Sequence, residues 1–87
     1  MKRVLYDPAP DLALDRLWDR DEVIADAVEE AIDWIRLGDP RAKRRAFSSG
    51  LFLIEVRVHG EDWSILWEDD HADDSATVRH IAETGSI

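Results

Sequence analysis

A chain of 87 residues is long enough for one hydrophobic core and too short to divide its apolar residues between two. It contains no cysteine, which excludes disulfides and cysteine-bound metal, so its four tryptophans must help to fill the core. The formal net charge of −9 argues against a protein that coats nucleic acid with its whole surface. We therefore expect a single acidic domain over residues 1–87.

The sequence has none of the features that direct a chain to a membrane or bind a common cofactor. No run of eighteen apolar residues occurs, so we expect no membrane-spanning segment and no membrane partner. The N-terminus lacks a charged region followed by an apolar stretch, so we expect a cytoplasmic location. No glycine-rich phosphate loop, nucleophile elbow or paired-histidine motif occurs, so we expect no cofactor and no metal site.

The first half of the chain predicts one strand and two helices. Residues 2–6 form a short apolar run, and the proline-containing segment after them predicts the end of a strand. Asp11 is the predicted N-cap of a short helix with its apolar residues on one side. Over residues 21–37 apolar residues recur every three or four positions, which predicts a second helix that ends at Gly38.

The outer face of the second predicted helix carries carboxylates at spacings that repel each other. Asp26 lies four residues from both Glu22 and Glu30, and Glu29 lies four residues before Asp33. The simpler interpretation is a solvated face of a salt-tolerant protein. The alternative is a docking surface for a basic partner.

The second half of the chain predicts a basic segment followed by strands. The order β-α-α-β-β-β predicts an α+β fold, a mostly antiparallel sheet with two helices packed on one face. The predicted elements, in chain order, are a helical turn over 41–47, a loop over 48–50, antiparallel strands over Leu51–Val58 and Trp63–Glu68, an exposed loop over 69–74, a last strand over Ala76–Ile81 and a tail.

Both faces of the predicted hairpin carry apolar side chains. Alternation along the first strand favours one of its faces as the core, and the residues on that face are Phe52, Ile54, Val56 and Val58. In the next strand Trp63, Ile65 and Trp67 share a face that is too apolar to be left to solvent. We expect these three residues to bind a partner protein or, in a homodimer, another copy of the chain.

Two groups of cationic residues are candidates for a phosphate site. Arg41, Lys43, Arg44 and Arg45 form the main basic run, which is typical either of phosphate binding or of a solvated helix end. Arg57 and Arg79 fall on the outer strands of the predicted meander, where guanidinium groups could stabilise an oxyanion, with His80 as an acid or base. The alternative is that both arginines pair with Glu55, Glu68 or Glu83 across the sheet.

The order of these elements resembles the RelE/ParE superfamily of bacterial toxins, the small cytoplasmic components of toxin–antitoxin pairs. The resemblance spans nearly the whole chain. It includes the basic segment Asp39–Arg45, then Gly50-Leu51-Phe52 with Arg57 a few residues on, and the strand Trp63–Glu68 with its two tryptophans. Thr77-Val78-Arg79-His80-Ile81 is similar to the last strand of the family.

This resemblance implies an antitoxin peptide or protein as partner, and RNA, the ribosome or gyrase as target. Members similar to RelE cut messenger RNA without a metal ion, which implies Arg57 and Arg79 as phosphate-stabilising residues and Lys43, Arg44 and Arg45 as RNA contacts. In such a reaction the ribose 2′-hydroxyl attacks the adjacent phosphate. Two positions differ from the family: Ser64 stands where arginine is usual, and the tail to Ile87 has no tyrosine or histidine.

Three hypotheses follow from the sequence. The first is a toxin-like protein that acts as a metal-independent endoribonuclease on the translation machinery. The second is a non-catalytic protein-interaction module of the same fold, which uses the acidic helix and the tryptophan face. The third is an unrelated small α+β domain. Whether the chain is an enzyme is left open by the sequence.

Overall fold

The computed structural model describes residues 1–46 and 50–86, and the predicted 48–50 loop and the end of the tail lie partly outside these residues. Two helices and five strands form the α+β fold that the sequence predicts, with both helices packed against the sheet. The elements are β1 (Arg3–Tyr6), α1 (Pro8–Arg20), α2 (Glu22–Leu37), β2 (Arg44–Ala46), β3 (Leu51–Val58), β4 (Glu61–Asp70) and β5 (Ser75–Glu83), with short 3₁₀ helices at Pro40–Ala42 and Thr84–Ser86.

The sheet is mixed, with the strand order β1-β5-β4-β3-β2. β1 is parallel to β5, and the other three pairings are antiparallel, as the sequence predicts for most of the sheet. A two-residue turn at His59 and Gly60 joins β3 to β4, and both residues have positive φ. Such a turn suits the right-handed twist of a hairpin.

Helix α2 has clear start and stop signals. The Asp21 carboxylate accepts hydrogen bonds from the backbone N–H groups of Val23 and Ile24, at 3.0 and 3.3 Å. At the other end Gly38 has a φ of 70°, a left-handed conformation that glycine adopts without strain. The predicted apolar stripe is confirmed, because five of its six members are buried and Ala27 is half-buried; the buried members are Ile24, Val28, Ala31, Ile32 and Ile35.

Helix α1 is longer than predicted. It begins at Pro8, with Asp7 as its N-cap residue, and not at Asp11. Prolines are tolerated in the first turn of a helix because the N–H groups there have no intrahelical acceptor. The proline-containing segment therefore ends the strand as predicted, but it also starts the helix.

The tryptophan face of β4 is covered by the chain's own helices and not by a second protein. Ile65 and Trp67 are fully buried in the core, and the Trp67 Nε1 donates a hydrogen bond to the Ala42 carbonyl oxygen at 2.8 Å. Their side chains therefore have no surface to offer to a partner. Trp63 is only half-buried, at the end of the same face.

Two charged segments differ from their predictions. The basic run forms a 3₁₀ helix and the short strand β2, which pairs with Leu51–Leu53, instead of a helical turn. The predicted 69–74 loop is shorter, because β4 continues to Asp70 and β5 begins at Ser75 and extends to Glu83. A carboxylate is tolerated at Asp69 in β4 because Lys2 pairs with it.

The sheet narrows to three strands at the end that carries the β3–β4 turn. β1 pairs only with Ser75–Val78, and β2 pairs only with Leu51–Leu53. Within the described residues, the outer edges of β3 from Ile54 to Val58 and of β5 from Arg79 to Glu83 therefore lack a neighbouring strand. These two free edges lie on opposite sides of the sheet.

Candidate functional site

The predicted catalytic arginines do not converge. Arg57 stands opposite Asp62 on β4, whereas the guanidinium group of Arg79 contacts Glu68, six residues further along the same strand. At about 3.3 Å per residue, these two positions are roughly 20 Å apart. A single phosphate group cannot span that separation, so the two arginines do not form one pocket.

Arg79 is held by two carboxylates. Its Nη2 lies 2.8 Å from Glu68 Oε2, and its Nη1 lies 3.0 Å from Asp7 Oδ1. Arg79 is also the extra residue of a β-bulge, because His80 pairs with Leu66 and Val78 pairs with Trp67. The hydrogen bonds to Glu68 and Asp7 raise the pKa of Arg79 above its ordinary value. The cation is therefore already neutralised within the fold.

The other two predicted catalytic residues have equally ordinary surroundings. Arg57 is exposed, with its Nε 3.8 Å from Asp62 Oδ1. His80 is half-buried opposite Leu66, next to Arg79 in sequence. Among the described residues, the charged group in contact with Arg57 is the Asp62 carboxylate and the residue opposite His80 is the apolar Leu66, so these contacts do not assemble an oxyanion site.

The predicted RNA-binding residues are separated and mostly engaged by carboxylates. Arg41 makes two side-chain hydrogen bonds to Asp39, at 2.7 and 3.1 Å, and its guanidinium carbon lies 4.1 Å from the centre of the Trp34 ring. These bonds from Arg41 lower the pKa of Asp39 to about 2. Arg41 is thus fixed against the end of α2.

The rest of the basic run diverges along β2. Arg44 pairs with Glu55 at 2.8 Å, and Lys43 lies 3.8 Å from Asp69. Arg45 is exposed and has no carboxylate partner among residues 1–46 and 50–86. Because neighbouring strand residues point to opposite faces, Arg44 and Arg45 cannot contact one phosphate group together.

Asp69 is a buried carboxylate that joins distant parts of the chain. Lys2 and His71 both contact it, the latter at 3.3 Å, and Lys43 approaches from a third side. Burial on its own would raise the pKa of Asp69, but Lys2, His71 and Lys43 together lower it. The signal for this burial was present in the sequence, since Asp69 continues the alternation of Trp63, Ile65 and Trp67 onto the core face.

An open groove lies between the second half of α1 and the free edge of β5, and we call it the β5-edge groove. Its volume is about 330 Å³. Three consecutive residues of β5 line it, so backbone as well as side chains of this strand borders the groove. The lining residues are Ala13, Arg16, Leu17 and Arg20 of α1, Trp63 of β4, and Ile81, Ala82 and Glu83 of β5.

Polar contacts fix the wall of the β5-edge groove. Glu61 accepts hydrogen bonds from Arg20 at 2.7 Å and from Trp63 Nε1 at 3.2 Å. The guanidinium carbon of Arg20 also lies 5.6 Å from the centre of the Trp63 ring. Trp63, one of the three predicted partner-binding residues, is therefore held in place with part of its ring open to the groove.

Sequence reasoning did not identify the rest of this groove. Ala13, Arg16 and Arg20 recur at three- and four-residue steps, so the sequence predicts that they share one face of a helix. That this face lies beside an unpaired strand edge depends on where β1 stops pairing with β5, which is a tertiary property.

The described residues contain no cluster of three His, Cys, Asp or Glu side chains that could hold a metal ion. Neither described helix is both long and apolar enough to cross a membrane. No protein-family model matches the chain, and no curated protein matches its sequence.

Proposed function

We propose that this chain is a non-catalytic protein-interaction module that binds an extended segment of a partner protein in the β5-edge groove. The observation that carries this proposal is the groove itself, which is lined by the part of β5 that has no outer neighbouring strand among the described residues. An extended peptide can add a strand to such an edge through main-chain hydrogen bonds. Alternate side chains of the peptide would then enter the channel and provide specificity.

The shape and chemistry of the groove define the peptide segment. Ala13, Ala82 and the exposed part of Trp63 offer an apolar surface, so the segment carries an apolar side chain at the inward position. Aromatic side chains such as Trp63 are frequent anchors in interfaces. Arg20 is already paired with Glu61, so the groove has little need of an acidic ligand.

The charge of the chain favours a basic partner. Its net charge is −9, and most of its cations are paired with carboxylates within the fold. Carboxylates without an ion-pair partner among the described residues line the exposed sides of both helices, including a row at four-residue spacing on α1: Asp11, Asp15 and Asp19. A field of one sign accelerates the association of an oppositely charged partner.

A place in the RelE/ParE superfamily stays a proposal, and within it the partner would be an antitoxin peptide. The module hypothesis is favoured over the endoribonuclease hypothesis by one relationship. Arg57 and Arg79 lie on different strands at positions roughly 20 Å apart, and Arg79 is engaged by two carboxylates. A nuclease of this kind needs its cations free and convergent on one phosphate.

A displayed library of random linear peptides tests the module hypothesis. We expect the selected peptides to be basic and to alternate apolar with polar residues. Ala13→Gln places a longer side chain in the β5-edge groove and should weaken the binding of these peptides at least tenfold. Arg16→Glu changes an exposed residue at the border of the groove and should weaken binding less. Ala27→Gln is the matched control, because Ala27 is also a half-buried helical alanine but lies outside the groove.

The binding site is mapped by amide chemical shifts in nuclear magnetic resonance spectra. The amides of Ile81, Ala82 and Glu83 should show the largest changes when a selected peptide binds. Peptides that bind Ala13→Gln as well as the wild type, or that perturb amides far from β5, would contradict the proposal. Cleavage of single-stranded RNA by the wild type, lost in Arg57→Ala, would favour the nuclease hypothesis instead.

A further inference from the structure

The outer edge of β3 is a second unpaired strand edge, on the side of the sheet opposite the β5-edge groove. β3 has eight residues, but β2 pairs with only three of them, Leu51–Leu53. Beyond them, no strand of the described chain pairs with Ile54–Val58 on that side. We call these five residues the β3 edge.

The β3 edge has few of the devices that prevent strand pairing between molecules, although it carries the charged residues Glu55 and Arg57 and the 3₁₀ helix at Pro40–Ala42 contacts β3. Proteins protect free edges with proline, lysine, bulges or short strands. Ile54–Val58 contains neither proline nor lysine, and its pairing with β4 continues without a register shift. An edge of this kind is a template for another strand.

The sequence of the β3 edge is self-complementary in one antiparallel register. When Val56 faces Val56 of the partner subunit, Glu55 faces Arg57 of the partner subunit, and the reverse pair forms by symmetry. On the other face of the sheet the two Val56 side chains meet, whereas Ile54, opposite Val58 of the partner subunit, is already buried in its own core. Opposite charges and apolar pairs directly across two antiparallel strands both stabilise a sheet.

Neighbouring registers are unfavourable. A two-fold axis that relates antiparallel strands passes beside a single residue, so the next registers are centred on Glu55 and on Arg57. In the register centred on Glu55, Glu55 faces Glu55 of the partner subunit, and Arg57 of one subunit faces Leu53 of the other, which β2 already covers. In the register centred on Arg57, Arg57 faces Arg57 of the partner subunit. Like charges directly across a sheet are destabilising, so the register centred on Val56 is selected.

The two charged residues of the β3 edge are available for such contacts. The side chain of Glu55 is 40% exposed and that of Arg57 is 74% exposed. Their present partners, Arg44 at 2.8 Å and Asp62 at 3.8 Å, are themselves exposed, and such surface pairs stabilise little. The β5 edge has no charged residue that is equally available for pairing with a second copy, because Arg79 lies in a β-bulge and is held by two carboxylates.

We propose that a second copy of this chain occupies the β3 edge and forms a symmetric dimer with one continuous sheet through both subunits. The two-fold axis is perpendicular to the sheet, so the helices of both subunits lie on the same face. The β5-edge groove of each subunit stays at the outer side of the dimer. The dimer therefore does not depend on the proposed peptide binding.

Charge reversal with a double swap tests this register directly by sedimentation equilibrium. Glu55→Arg and Arg57→Glu each create two like-charge contacts in the symmetric interface, and each should raise the dimer dissociation constant about tenfold or more. The swapped double variant E55R/R57E restores opposite charges and should restore dimerisation. Glu30→Arg on the exposed side of α2 makes the same change in net charge as Glu55→Arg and should leave the dimer intact.

Thermal unfolding of each variant, measured by circular dichroism, shows whether a variant that no longer dimerises is still folded. We expect each single variant to be a folded monomer. A wild-type chain that stays monomeric at the highest concentration reached would overturn the proposal. So would a dimer that neither single reversal weakens, or a swapped variant that remains monomeric. Because no peptide is present, these outcomes are independent of the test of the β5-edge groove.

Discussion

The guanidinium group of Arg79 and the carboxylate of Asp7 lie 3.0 Å apart, although 72 residues separate them in the sequence. Asp7 stands at the junction of β1 and α1, and its backbone N–H also donates to the Val78 carbonyl oxygen at 3.0 Å. Arg79 therefore connects the end of the edge strand to the bulge of β5. In this structure Arg79 joins elements that are distant in the sequence.

Arg79→Ala should destabilise the fold more than Arg57→Ala. Arg79 contacts two carboxylates in a network, whereas Arg57 has one exposed partner at 3.8 Å. Isolated exposed pairs contribute little, so Arg57→Ala should leave the melting temperature nearly unchanged. Thermal unfolding measured by circular dichroism compares the two. Equal melting temperatures, together with loss of an RNA-cleaving activity in both variants, would favour a catalytic role.

Removal of the Asp69 carboxylate should lower the free energy of unfolding by about 2 kcal/mol, the order expected when a buried charged hydrogen-bond partner is lost. Asp69→Ala leaves the half-buried ammonium group of Lys2 without its partner on β4. Urea denaturation measures the loss. Asp70→Ala is the control, since Asp70 is the adjacent residue but is exposed. A loss of equal size in both variants would contradict the inferred role of Asp69.

The Asp39 carboxyl should titrate well below an ordinary aspartate. Its pKa is lowered from 3.8 to about 2 because Arg41 donates side-chain and backbone hydrogen bonds to the charged form. A carboxyl whose pKa is lower in the folded state stabilises that state above its unfolded pKa, and this contribution is lost as the pH falls through the folded pKa. The stabilisation should therefore be complete above about pH 4 and disappear towards pH 2.

Carbon-detected titration of the aspartate carboxyls by nuclear magnetic resonance measures this pKa. Arg41→Ala should return the pKa of Asp39 towards 3.8, since the side-chain hydrogen bonds are lost. Arg44→Ala is the control, because Arg44 pairs with Glu55 and not with Asp39. A normal pKa for Asp39 in the wild type would show that the Asp39–Arg41 contact is not maintained in solution.

Gly60→Ala should cost about 1 kcal/mol of folding free energy through backbone strain alone. Gly60 has a φ of 75° in the two-residue turn, and an added Cβ would meet no atom within 4 Å. Gly50→Ala is a matched control, because a Cβ there also meets no atom, but its φ is not positive. Denaturant unfolding of both variants separates strain from packing. Equal losses would mean that the turn conformation is not the cause.

The helices and the central strands were predictable because their signals are local. The spacing of Ile24, Val28, Ile32 and Ile35 defines a helix face in any fold, and Gly38 ends that helix without help from distant residues. The alternation along β3 likewise indicates which of its faces is buried. Hydrophobic period and backbone preference act within a few residues, so sequence reasoning recovers them.

Pairing between distant charges was not predictable in the same way. Lys2 and Asp69 are separated by 67 residues, and only the pairing of β1, β5 and β4 brings them together. The alternative that Arg79 pairs with Glu68 is confirmed, but Asp7 beside Arg79 and Asp62 beside Arg57 were not among the predicted partners. The prediction that Arg57 and Arg79 form one cationic pocket was therefore wrong, although the strands that carry them were predicted correctly.

The amino-acid sequence by itself determined an acidic α+β domain, the position of its main helix and the buried face of β3, since these depend on short-range periodicity and burial. The tertiary structure alone decided that the helices cover Trp67, that the arginines are engaged by carboxylates, and that the edges of β3 and β5 stay free. The physical reason is that each of these properties depends on how far a flanking strand continues and on which distant groups then become neighbours.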